Sequence, residues 1–206
     1  MSSSLEDRLR YNPTDCFITF PFPKELTNKN NSLLLNDRYQ NVKNVGKKYH
    51  DFRNNLMQIK NEGLTNIYNR FNNPNEKDST IIELRNLHNS IDETVMSLYG
   101  WKDIQLKYGF GLDYLDLDEE LQISENIMKK MDNDDIFFLD ENQAYTFEQE
   151  LNSITKKPVK LSWKFRWPND LKEEVISRLL SLNFSHYEEE VKEGLHIQGD
   201  RLIKKG

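Results

Sequence analysis

Twice in this chain, side chains able to line a core recur at spacings of 3, 4, 3, 4 and 3: Val42, Val45, Tyr49, Phe52, Leu56 and Ile59, then Ile81, Leu84, His88, Ile91, Val95 and Leu98. That period places each set on one face of an α-helix about five turns long. Lys43, Lys47, Asp51, Asn54 and Asn55 fall off the first stripe, as the solvent side of an amphipathic helix requires. Between the stripes, Leu64, Ile67, Tyr68 and Phe71 predict a short helix that Asn72-Asn73-Pro74 must end, because proline cannot continue it and asparagine tolerates turn angles. Two stripes of matched length joined by a compact corner predict an antiparallel helical hairpin over Val42–Leu98. Gly63 is expected to stop the first helix in the left-handed conformation, Asp78 or Ser79 to cap the last, and Gly100 to close it.

The flanks read differently, and the chain divides into 1–41, 42–110, 111–155 and 156–206. Residues 1–41 form an extended strip, with Pro13, Pro21 and Pro23 fixing its backbone and Phe17, Phe20 and Phe22 available as anchors. Residues 42–110 hold the hairpin. Residues 111–155 form an acidic insertion whose regular Leu, Tyr, Ile and Phe residues predict order, with a helix over Glu141–Leu151. Residues 156–206 begin with "KKPVKLSWKFRW", a strand placing Trp163, Phe165 and Trp167 on one face and Lys164 and Arg166 on the other. Pro168 then opens a final helix with Leu171, Val175, Leu179 and Leu182 in register, widened by Ile176 and Leu180 and broken near Asn183. The fold class expected is mainly α with minor β: a helical hairpin core with the N-terminal strip and C-terminal helix packed on it.

Composition narrows the function. The net charge of -6 conceals segregation: residues 111–155 hold 2 Lys and Arg against 13 Asp and Glu, whereas 1–110 hold 15 against 13, so the acidic total does not by itself exclude nucleic acid. No run of about 18 apolar residues occurs, which predicts no membrane span. "MSSSLEDRLRYNP" lacks the apolar centre of a secretory signal, and Cys16 stands alone, so the expected compartment is cytoplasmic.

Catalytic signatures are absent from the sequence. "NVGKKY" and "YGFGLDY" lack the spacing and context of a phosphate or dinucleotide loop. His50, His88, His186 and His196 share no metal-ligand spacing, and His88 fits the hairpin stripe as a boundary residue. Asp113, Asp116, Asp118, Glu119 and Glu120 do not follow the alternation of a calcium loop and read as a solvated acidic face. Lys164 and Arg166 on one strand face suit phosphate contact, or else a solvated rim around a packed aromatic strip.

Five blocks, taken in order, carry a resemblance: "SSLEDRLRYNPTDCFITFPFP", "YHDFRNNLMQIKNEGLTNIYNRFNNPNEKDSTIIELRNLHNSIDETVMSLYGWKDI", "FGLDYLDLDEE", "DIFFLDENQAYTFEQEL" and "WKFRWPNDLKEEVISRLLSLNFSHYEEE". Together they resemble the C-terminal region of Type IIG restriction-modification enzymes, adenine-specific DNA methyltransferases of the MmeI-like class with relatives in phage defence. The resemblance implies that methyl transfer belongs to an upstream domain holding S-adenosylmethionine and an Asn-Pro-Pro-Tyr motif, and cleavage to another domain. Asn12-Pro13-Thr14 lacks the second proline and the stacking aromatic, so no cofactor and no catalytic residue are expected in this chain, which would not be an enzyme alone. The strip 1–41 would continue from a recognition region, and the helices would embrace duplex DNA without reading bases. For phosphate contact the expectation falls on Lys47, Lys48, Lys164 and Arg166, and Arg70 is either a structural ion-pair residue or a further phosphate contact. The competing expectation is a protein-interaction module that docks on a catalytic methyltransferase subunit without touching DNA.

Overall fold

The computed structural model describes residues 20–23, 37–115, 124–132, 135–155, 159 and 161–195. Most of the N-terminal strip, Cys16, Asp116, Asp118, Glu119, Glu120 and His196 lie outside the described residues. Within them the fold is mainly α with minor β: α1 (Asp37–Lys60), α2 (Leu64–Phe71), α3 (Ser79–Tyr99), β1 (Gly109–Leu112), α4 (Glu125–Asp132), β2 (Ile136–Phe138), α5 (Glu141–Ile154), β3 (Trp163–Arg166) and α6 (Asn169–Lys192). The chain divides into two compact units, Asn30–Lys172 and the ends Met1–Lys29 with Glu173–Gly206. In the smaller unit Phe20 meets Phe22 edge to face at 5.0 Å, and α6 runs unbroken past Asn183. A break was expected there, but one asparagine costs a helix only a few tenths of a kcal/mol and the flanking residues sustain it. Ile176, Leu180 and Phe184 on this helix are exposed.

In the larger unit α1 and α3 pack antiparallel: Tyr49 meets His88 at mid-length, and Lys60 at the end of α1 bonds Asp78 at the start of α3. Tyr49, Leu56, Ile81 and Leu84 from the two stripes join Ile67 and Phe71 of α2 in one apolar cluster. Each such side chain removed from water stabilises the unit by about 1.5–3 kcal/mol. Ile59, the last residue of the first stripe, is exposed instead, and the buried face of α1 ends at Leu56. Asp78 caps α3 by accepting from the Thr80 N–H, and Gly100 closes it at φ 77°. Gly63 does not have the role expected of it: Asn61 takes the left-handed conformation at φ 51°, and Gly63, at φ -74°, is the N-cap of α2. Asparagine is the non-glycine residue best suited to that angle, so the turn is completed two residues earlier.

The sheet order is β2-β1-β3, antiparallel throughout, with β1 central and buried at all four positions. Its strands come from 109–112, 136–138 and 163–166, so it ties the acidic segment to the hairpin side and to the aromatic strip. Asp140 caps α5, whose Ala144, Phe147 and Leu151 close one face of the sheet over Phe110, Phe138 and Trp163. Phe165 touches both apolar clusters, with its ring 5.4 Å from those of Phe71 and Phe110.

The two glycines of "YGFGLDY" serve close packing. A Cβ at Gly109 would collide with the Phe138 carbonyl and one at Gly111 with the Arg166 guanidinium, which lies across the strand. Arg166 thereby donates to Asp135 at 2.8 Å and to the Leu112 carbonyl at 3.3 Å. Gly111→Ala is therefore expected to lower unfolding free energy by about 2–4 kcal/mol, through overpacking and a displaced ion pair. Urea unfolding checks this. In an Arg166→Ala background the same methyl group should cost less than half as much, since the group it displaces is gone.

Candidate functional site

The corner 60–78 is built around Arg70. Its Nε donates to Glu76 at 2.7 Å, Nη1 to Glu62 at 3.0 Å and Nη2 to Asp78 at 2.7 Å, and Lys60 donates to the same Asp78 oxygen at 2.7 Å. The Arg70 side chain is one-quarter exposed, and each of its three nitrogens donates to a different carboxylate, on both sides of the turn. The Lys60 bond, followed by those from Thr80 and Arg70, holds the Asp78 carboxyl well below the usual carboxylate range. The Arg70 bond lowers Glu76 in the same sense, and these carboxylates in turn raise the Arg70 guanidinium.

Arg85 sits beneath that corner and was not singled out from sequence. It is the buried charged residue of the described core, donating to the carbonyls of Phe71 at 2.8 Å and Asn73 at 2.7 Å and to Glu141 at 3.2 Å. Its guanidinium also stands over the rings of Phe110 and Phe165, at 4.8 and 5.5 Å. Arg85 thus satisfies the Phe71 carbonyl, which the end of α2 leaves without an intrahelical partner, and adds a second donor to the Asn73 carbonyl beyond it. Burial draws its pKa down, opposed by the charge of Glu141.

The phosphate candidates occupy different settings. Lys47 and Lys48 are adjacent and exposed on α1, with the exposed Asn41, Lys43, Asn44, Asn54 and Asn55 on the same helix. Lys164 is exposed on β3. Arg166 has a side chain 9% exposed, is engaged with Asp135 and lies 3.8 Å from Asp113. Arg70 is the centre of the ion-pair cluster described above. Several described acids of 111–155 have structural partners: Asp135 also accepts from the Asn169 N–H, Glu141 bonds Lys77 as well as Arg85, Glu148 accepts from Asn75, and Glu150 accepts from Ser124.

Two polar hollows accompany these groups. One, of about 480 Å³, is lined by Asp37, Arg38, Gln40, Asn41 and Asn44 of α1 with Thr94 and Ser97 of α3. The other, of about 550 Å³, lies between the α2 corner and β3. His88 and Asp92 approach within 3.7 Å on α3, and burial pushes the Asp92 carboxyl up. Among the described residues no group of three or more His, Cys, Asp and Glu side chains is placed to hold a metal ion, and no helix is long and apolar enough to cross a membrane. No family model, curated protein or solved structure matches the chain.

Proposed function

We propose that this chain is the non-catalytic, DNA-embracing C-terminal part of a DNA methyltransferase or Type IIG restriction-modification enzyme, bracing the recognition region and touching duplex DNA through phosphates. The observation that carries the reading is the ordered set of sequence blocks resembling that class. Its longest block, 49–104, takes in the second half of α1, the Arg70 corner and all of α3, and two others supply β2 with α5 and β3 with α6. A brace of this kind needs a corner whose angle is fixed, and the Arg70 and Arg85 clusters supply that rigidity. The adjacent exposed Lys47 and Lys48, set among asparagines on α1, suit backbone contacts that position a duplex without specifying sequence. S-adenosylmethionine and catalysis belong, on this reading, to a methyltransferase domain or subunit that the chain completes.

One observation favours the second reading, a docking module on that catalytic partner without DNA contact. Arg70, Arg85 and Arg166 are engaged with carboxylates or carbonyls, so the phosphate role rests on lysines. Binding to a random-sequence duplex of about 30 base pairs at two salt concentrations separates the two. Phosphate contact predicts affinity that falls steeply with salt. A Lys47→Ala, Lys48→Ala, Lys164→Ala triple variant would then reduce the slope of log K against log salt by about 2–3. Absence of binding at both concentrations would remove the DNA reading and leave the docking module.

A further inference from the structure

We propose that the hollow between β3 and the α2 corner receives an extended peptide segment of a partner protein, which adds as a strand to the open edge of β3 at Trp163. This stands independently of DNA contact.

Among the described residues the sheet order makes β3 an edge strand, paired with β1 alone. On its other side the Phe165 N–H donates to the Asn72 side-chain oxygen at 2.9 Å. A side-chain amide there occupies the position that the carbonyl of a neighbouring strand would take. Backbone groups of alternate residues in a strand point to the same side, and the β1–β3 register has no bulge. The N–H and C=O of Trp163 therefore point off the same edge, one strand repeat from the Asn72 bond, where none of the described residues pairs with them.

That open position borders the hollow of about 550 Å³ lined by Asn69, Asn72, Asn73, Ser162, Trp163 and Lys164. Its carboxamides carry both donors and acceptors, the complement of a peptide backbone. Trp163 adds a second sign of an unfilled polar need: it is 8% exposed, and its indole N–H has no hydrogen-bond partner among the described residues. The walls select the occupant. The α2 corner stands on one side and Glu148 of α5 also lines the space, so a single extended segment fits where a folded sheet does not. The β3 edge of a second copy lies in a hollow of its own, which excludes edge-to-edge pairing of two folded chains. Lys164, exposed on the strand, favours an acidic residue in the segment at the facing position. Main-chain bonds would supply affinity and that ion pair would set register.

The test uses the full chain, labelled with ¹⁵N, and the end-capped hexapeptide acetyl-Thr-Val-Glu-Val-Thr-Val-amide at millimolar concentration. Binding should shift the Trp163 backbone amide and indole signals together. Asn69→Ala, an exposed change on α2 that leaves the spectrum elsewhere intact, should weaken binding about fivefold. Methylating alternate peptide nitrogens should abolish binding in the register that faces β3 and weaken it in the other, since only strand pairing distinguishes the two. No shift with the parent peptide, equal tolerance of both methylated forms, or shifts produced by a hexathymidylate and not by the peptide would each overturn the proposal.

Discussion

Arg85→Met is expected to lower unfolding free energy by about 3–5 kcal/mol, the largest single-residue effect in the larger unit. Methionine fills much of the same volume but has no donors. The carbonyl of the buried Phe71 would then lose the donor that satisfies it at 2.8 Å, whereas that of the exposed Asn73 loses its Arg85 bond of 2.7 Å but keeps the Glu76 N–H at 3.1 Å. A buried acceptor left unpaired costs about 1–3 kcal/mol. The rings of Phe110 and Phe165 would lose a cation over their faces, a further contribution of about 1–2 kcal/mol. Arg85→Lys tests the geometry separately from the charge. A single ammonium cannot reproduce the planar fork that reaches the two carbonyls and Glu141 at once, so this variant should still cost about 2–3 kcal/mol. Urea unfolding of both variants is the measurement. A loss below about 1 kcal/mol for Arg85→Met would show that the end of α2 is not held by this residue.

The second large effect concerns Asp78, which caps α3 and accepts from both Lys60 and Arg70. Asp78→Ala removes the cap and both ion pairs and should cost about 2–4 kcal/mol at pH 7. Asp78→Asn keeps a capping oxygen and should cost roughly half of that. The folded-state pKa of Asp78 lies below its unfolded value, as does that of Glu76. Their stabilisation is therefore complete above the unfolded carboxylate pKa of about 4 and is lost as pH falls toward the folded value. Asp92, whose carboxyl burial pushes up, acts in the opposite sense, but it is unchanged in the variants and cancels from the comparison. The gap between wild type and Asp78→Asn in urea unfolding should accordingly be widest near pH 7 and narrow below about pH 4. A gap that stayed constant from pH 7 to pH 3 would mean that the charge of Asp78 contributes nothing beyond its cap.

The fate of Arg85 shows where periodicity stops being informative. An arginine beside the Ile81, Leu84 and His88 stripe reads as part of a solvated flank, because charged residues rarely go inside without a partner. Its partners are backbone carbonyls at the end of another helix, and no sequence pattern announces them. One signal was present: Met96, about three turns further along α3, lies on the same side as Arg85 and is also buried. An apolar residue off the main stripe marks a second covered side. The misreading of Gly63 has a different origin. Two residues near a helix end, Asn61 and Gly63, were both able to take the left-handed angle, and only the path of the chain into α2 selected between them.

The sequence by itself determined the hairpin, its NNPN corner and the cap at Gly100, and narrowed the start of the last helix to Asp78 or Ser79, because these depend on local period, backbone chemistry and neighbours within a turn; the structure selected Asp78. It also predicted the alternation in "WKFRW" that sends Trp163 inward and leaves Lys164 exposed. Tertiary structure alone decided that "YGFGLDY" holds the central strand, that Arg166 crosses Gly111 to reach Asp135, and that the Asn72 side chain accepts from the Phe165 N–H on the outer side of β3. Each of these joins residues dozens of positions apart. What fixes them is the space between side chains and the pairing of buried polar groups, quantities that exist only once the chain has come together.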